Sequence, residues 1–182
     1  SNNNLYILRI IKKFGLGADV VSKGELLRAL KAGISPNKIV FSGVGKTKEE
    51  INFAIDKKIL LINAESENEI NVINKIAIKK KKKVNVGLRL NPNIDAKTLK
   101  KISTGRNEDK FGVPEKIFLK IIKKFNSSST INIRCLSVHI GSQILDHKPY
   151  LRMIKVIENI IKKSKNKFCL LYTSDAADEW LR

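Results

Sequence analysis

Three times in its first half the chain repeats one unit, a short apolar stretch followed by a helix-capping box. Ala18 to Val21 precedes Ser22-Lys-Gly-Glu25, Lys38 to Ser42 precedes Thr47-Lys-Glu-Glu50, and Leu60 to Glu65 precedes Ser66-Glu-Asn-Glu69. Each box sets a hydroxyl at a helix N-cap and a glutamate three residues on, where the two side chains satisfy N–H groups that a first helical turn leaves orphaned. Apolar residues then recur at helical spacing: Leu26, Leu27 and Leu30; Ile51, Ala54 and Ile55; Ile70, Ile73 and Ile76. A strand feeding a helix that feeds the next strand brings the chain back parallel to its start. The repeat predicts βαβ connectivity and a parallel sheet.

The rest of the chain extends this pattern. Residues 2 to 14 carry Leu5, Leu8, Ile11 and Phe14 at helical spacing, and Gly15 and Gly17 stop that helix. Val84 to Asn91 alternates strictly, with Val84, Val86, Leu88 and Leu90 on one face and Asn85, Gly87, Arg89 and Asn91 on the other. A connection from Pro92 to Val113 follows with little periodic pattern, and a loop of that length at a strand end is more often functional than idle. Pro114 suits the first turn of a helix bearing Ile117, Phe118, Ile121, Ile122 and Phe125. The stretch Ile131 to Gln143 begins as a strand, alternating Leu136, Val138 and Ile140 with Cys135, Ser137, His139 and Gly141. A last helix runs from about Pro149 through Met153, Ile154, Ile157, Ile160 and Ile161.

An open doubly wound sheet buries both strand faces in apolar contacts, whereas a barrel fills its interior with alternate residues whose top layer lines the mouth. The polar rows Asn63 with Glu65, Arg89 with Asn91, and Ser137 with His139 fit a barrel better. His139 then lies near a strand's C-terminal end, where ligands of parallel α/β proteins are held. No dinucleotide fingerprint or Walker A motif occurs; Gly43-Val-Gly45-Lys46-Thr47 echoes a phosphate loop without its glycine spacing.

Charge needs separate treatment, because the formal net value is +19. The lysines are spread along the helices, with one dense run from Lys79 to Lys83, and aromatic residues make up only 6% without interleaving the basic clusters. That distribution describes solvated helix faces rather than a stacking platform for nucleic acid. No apolar run approaches the ~18–20 residues of a membrane-spanning helix. Cys135 and Cys169 lack metal-type spacing, which points to a reducing compartment and no structural disulfide.

A set of motifs now acquires a family. GADVVSKGEL (Gly17 to Leu26), KIVFSGVGKT (Lys38 to Thr47), NAESENE (Asn63 to Glu69), LRLNPNIDA (Leu88 to Ala96), KISTG (Lys101 to Gly105), KFGV (Lys110 to Val113) and HIGSQ (His139 to Gln143) resemble, in order and spacing, the diaminopimelate decarboxylases. The resemblance covers roughly residues 1 to 165. It implies an alanine-racemase-like barrel that carries pyridoxal phosphate, here a partial (β/α)8 TIM-type barrel of about strands two to six with their helices. Residues 1–167 would form that partial domain, and 168–182, where the family match breaks off, would be a non-native tail resembling a translated sequencing adaptor.

The resemblance also assigns roles. His139 matches the histidine that stacks on the cofactor ring, Ser142 a serine that hydrogen-bonds its phosphate, and Arg89 an arginine of its pocket. Asp19 matches an aspartate beside the cofactor, and Glu25 a nearby acidic position whose other reading is helix capping. The lysine that holds the cofactor falls immediately before Ser1, so no catalytic residue is assigned within the chain, and the chain as given is expected to be inactive. The implied reaction converts meso-2,6-diaminopimelate to L-lysine and carbon dioxide in the cytoplasm. An amino acid is the small-molecule partner, the intact enzyme is a homodimer, and neither a specific nucleic acid nor a membrane is involved. The alternatives are a decarboxylase of ornithine, arginine or carboxynorspermidine, a non-catalytic barrel that binds pyridoxal phosphate, and a basic nucleic-acid binder.

Overall fold

The computed structural model describes residues 4–95, 111–142, 144–164, 168 and 170–172. Asn4 caps α1 (Leu5–Lys13) by accepting the Tyr6 N–H at 2.9 Å. The repeating units follow as β1 (Ala18–Val20) with α2 (Lys23–Lys31), β2 (Ile39–Phe41) with α3 (Lys48–Lys57), and β3 (Leu61–Ala64) with α4 (Glu67–Lys80). Next come β4 (Val84–Asn91), β5 (Val113–Pro114), α5 (Glu115–Phe125), β6 (Ile131–Val138), α6 (Lys148–Ser164) and β7 (Leu170–Tyr172). Every ladder is parallel, in the order β1-β2-β3-β4-β6-β7, with β5 added to β4 through Leu90 and Val113. This is an arc of a β/α barrel.

The strand rows explain which side became the core. Val84, Val86, Leu88 and Leu90 register with Ile131, Ile133, Leu136 and Val138, and all eight are buried against the helices. Strict alternation cannot place both Ile133 and Leu136 on one face. A β-bulge at Arg134 resolves this, because one extra residue shifts the parity of everything after it. Phe41, Ile62, Leu26, Ile51, Ile70, Ile73, Phe118 and Ile121 complete the same core, each contributing about 1.5–3 kcal/mol by burial. The opposite row, Asn85, Gly87 and Arg89 beside Asn132, Cys135 and Ser137, faces the lumen.

The three caps differ in a way the spacing does not reveal. At Thr47 the box closes as expected, with Glu50 accepting the Thr47 N–H at 3.0 Å. At Ser22 and Ser66 the hydroxyl caps the helix, but the glutamate accepts the N–H one residue earlier, from Val21 at 2.8 Å and Glu65 at 2.9 Å. Backbone conformation is the cause. The caps Ser22 and Ser66 have φ of -153° and -156°, against -73° at Thr47, and φ decides which way a residue's own N–H points.

One further difference lies downstream. Pro114 is the N-cap of α5 and part of the two-residue β5, rather than a first-turn residue. Beyond the expected boundary at 167/168, Phe168 lies 6.2 Å from Phe118, ring to ring, and Leu170–Tyr172 pairs with Cys135, Leu136 and Ser137. KISTG and the rest of 96–110, Gln143, Cys169 and 173–182 lie outside the described residues.

The lysines serve the seams between helices. Lys23 meets Glu49 across α2 and α3, Lys80 and Lys82 share Asp56 across α4 and α3, Lys124 meets Glu67 across α5 and α4, and Lys163 meets Glu115 across α6 and α5. The Lys79–Lys83 run begins in the last turn of α4 with Lys79 and Lys80, where positive charge complements the helix dipole, and continues through the left-handed cap Lys81 towards β4. Among the described residues no helix is long and apolar enough to cross a membrane.

Candidate functional site

The C-terminal ends of adjoining strands β4 and β6 bring three of the four expected site residues into one region. Arg89 on β4 registers with Ser137 on β6, and His139 follows two residues later on the same face, just past the strand end. Gly141, at φ 131°, turns the chain, and Ser142 comes next. His139 and Ser142 are half-buried. Asp19 is exposed on the edge strand β1, four ladders from β6 in the strand order.

Arg89 is held by its neighbours. Its Nη1 donates to Glu65 Oε1 at 3.0 Å, and its guanidinium carbon lies 4.9 Å from the centre of the Phe111 ring. Glu65 Oε2 accepts the Gly112 N–H at 3.1 Å, and Asn91 Nδ2 donates to the Phe111 carbonyl at 3.2 Å. Gly112 has φ +73° and packs so close that a Cβ would lie 3.0 Å from the Arg89 carbonyl. Only glycine takes that conformation and that contact without strain. The KFGV motif is thereby tied to β4.

Beneath this layer the lumen is polar, and Asn63 and Ser137 are buried in it. Asn63 is 2% exposed, and its Nδ2 donates to Ser42 at 3.2 Å and to Ser137 at 3.5 Å. Its Oδ1 is buried without a hydrogen-bond partner. A Cβ at Gly87 would lie 1.9 Å from that oxygen, so the missing side chain leaves room for Asn63 to cross the strands. One layer lower, Asn132 donates to Asn85 at 2.8 Å.

The phosphate-loop echo has a structural explanation. Lys46 Nζ donates to the Gly43 carbonyl at 2.5 Å, the Asn63 carbonyl at 2.6 Å and Glu69 Oε1 at 2.7 Å. An ammonium has three N–H groups, and all three are used inside the protein. Lys46 is a buried staple joining the β2–α3 loop to the start of α4. Sequence reading gave no role to Lys46, Phe111 or Gly112, and read Glu69 only as a capping-box glutamate and Glu65 only as a member of the polar row.

Chemically, the mouth offers a cation at Arg89, a hydroxyl at Ser142 and a flat ring at His139. Apart from the Glu65 bond, the Arg89 guanidinium N–H groups meet no acceptor among the described residues. Such a set fits a small, flat, anionic ligand, with Arg89 and Ser142 as donors to an anion and His139 as a stacking surface.

Comparisons with known proteins give this region a context. The family described as pyridoxal-dependent decarboxylase, pyridoxal binding domain, matches residues 1–172. The diaminopimelate decarboxylase of Aquifex aeolicus is 40% identical over 167 residues, covering 92% of this chain and 40% of the relative. The crystal structure of Helicobacter pylori diaminopimelate decarboxylase complexed with L-lysine superposes with a TM-score of 0.84 at 42% identity, covering 95% of this chain and 44% of that one. A Paramecium bursaria Chlorella virus arginine decarboxylase has a TM-score of 0.78 at 22% identity, covering 93% of this chain and 44% of that one, a likeness of fold alone. The chain thus spans about 40% of the length of the curated relatives it matches.

Proposed function

The chain belongs to the pyridoxal-dependent decarboxylase family, and from that premise we propose that it is the cofactor-binding barrel of a protein that converts meso-2,6-diaminopimelate to L-lysine and carbon dioxide. The observation that carries the reading is the juxtaposition of Arg89 with the His139–Ser142 turn at the ends of adjoining strands β4 and β6. Bound there, pyridoxal phosphate supplies an electron sink for the pair left behind when a carboxylate departs as carbon dioxide.

In this reading the chain's own residues bind and orient. His139 presents its ring to one face of the cofactor, and Ser142 donates its hydroxyl to the phosphate. Arg89, already paired with Glu65, keeps a positive charge at the mouth that need not reorganise when an anion arrives. Asn63, Ser42 and Ser137 form a hydrogen-bonded floor that leaves little space for bulk water. Asp19 is assigned to the cofactor's vicinity from the open-edge strand. The protein works as a homodimer in the cytoplasm.

Support for diaminopimelate comes from relatives 38–46% identical to the chain, and from the related structure that holds L-lysine, a diamino acid. A site built for the second carboxylate of diaminopimelate leaves its polar partners unpaired when ornithine enters. Carbon dioxide release by the full-length protein containing this chain tests the assignment. Diaminopimelate is expected to exceed ornithine, arginine and L-lysine by at least ~100-fold in kcat/KM. Equal or faster turnover of ornithine would overturn it.

A further inference from the structure

Glu65 lies one residue beyond β3 and is 9% exposed. A carboxylate buried to that degree needs compensation on both oxygens. It has it: Oε1 takes Arg89 at 3.0 Å, and Oε2 takes the Gly112 N–H at 3.1 Å. The Glu65 backbone is fixed in turn, its N–H donating to Glu69 Oε2 at 2.9 Å, while Glu69 Oε1 holds Lys46 at 2.7 Å. Glu65 is therefore anchored from behind and joined in front to two separate parts of the mouth.

We propose that Glu65 is a positioning residue that fixes the Arg89 guanidinium and the Phe111–Gly112 backbone in one arrangement, so that the cation is already aimed when an anionic ligand binds. The inference rests on the proposed role of Arg89 toward pyridoxal phosphate. An arginine side chain has many rotamers, and an ordered guanidinium loses less freedom on binding than a mobile one. Positioning and simple charge make opposite predictions. Glu65 offsets the Arg89 charge, so if charge alone mattered, removing the carboxylate would strengthen anion binding. If position matters, removing it weakens binding.

The test uses the full-length protein containing this chain, with pyridoxal phosphate as the probe and its visible absorbance as the signal. Glu65→Gln keeps the side-chain shape and an acceptor for Gly112 but removes the charge. The expected result is binding weakened by about five- to tenfold. In an Arg89→Met background, the same replacement should change binding by less than about twofold, because its effect passes through Arg89. Tighter binding, or an equal loss in both backgrounds, overturns the proposal. Should the Glu65→Gln protein fail to fold, Glu65→Asp reads the same quantity, by withdrawing the carboxylate one methylene. Hydrogen exchange at the Gly112 amide, measured without cofactor, should be faster in Glu65→Ala than in the parent, and unchanged exchange overturns the proposal. A parent protein that binds no pyridoxal phosphate would bring down the proposed function, while the Gly112 exchange would still decide whether Glu65 holds the mouth.

Discussion

Lys46 and Lys162 each meet a glutamate at 2.7 Å, yet one side chain is 1% exposed and the other 72%. The inner pair sits between β3 and two helix N-termini, with two backbone carbonyls replacing the water that Lys46 gave up. The outer pair joins Lys162 to Glu158 along one face of α6, where water and salt compete for both partners. Equal distances thus conceal unequal dependence. The buried staple relies on each contact singly, while the exposed ion pairs of the helices share their load among many replaceable ones.

The sharpest way to break this contrast is Lys46→Met. It leaves the Glu69 carboxylate buried without its cation, and it should cost about 3–5 kcal/mol of unfolding free energy in a denaturant titration. A loss below about 1 kcal/mol would put the inner pair on the same footing as a surface pair. Gly87→Ala comes next. Its Cβ would meet Asn63 Oδ1 at 1.9 Å, and overpacking of this kind should cost about 1–3 kcal/mol, read from the denaturation midpoint.

Glu50 occupies middle ground and sharpens the comparison through pH. It accepts N–H groups from Thr47 at 3.0 Å and Lys23 at 3.1 Å, which hold its carboxyl below the ordinary glutamate value of 4.5. A depressed folded-state value adds stability above pH 4.5 that fades as pH falls through the lower folded value. The melting-temperature gap between the parent and Glu50→Gln should therefore hold steady above pH 4.5 and narrow below it. A gap that widened in acid would contradict this. The smallest effect belongs to Glu158→Gln, which should leave the melting temperature unchanged in ~1 M salt, where screening acts over about 3 Å.

How legible each feature was in the sequence follows the range of the interaction behind it. The three strand–helix units were readable because capping and periodicity act within four residues. Arg89, Ser137 and His139 were readable as a row because alternation is also local. The bulge at Arg134 was implicit in the spacing of Ile133 and Leu136, yet it takes a neighbouring strand to distinguish a bulge from a strand end. β5 was not readable, since two residues carry no period. The bonds from Glu65 to Gly112 and from Lys46 to Glu69 span 47 and 23 residues, and no pattern along the chain announces them. Lys46 shows the hazard most directly, since its neighbours imitate a phosphate loop while its ammonium is committed to the protein.

The order of strands in the sheet has a consequence for how the molecule assembles over time. Successive ladders join residues close along the chain: Ala18 with Ile39, Val40 with Leu61, Ile62 with Val86. The next, Val84 with Ile131, closes a loop about twice as long as its predecessor, and each doubling adds about 0.6 kcal/mol of closure entropy. Kinetics should then favour an early arc from β1 to β4, with β6 docking onto it later. The late ladder is the one that sets Ser137 beside Arg89, so the mouth is expected to acquire its native neighbours only after the β1–β4 arc has formed.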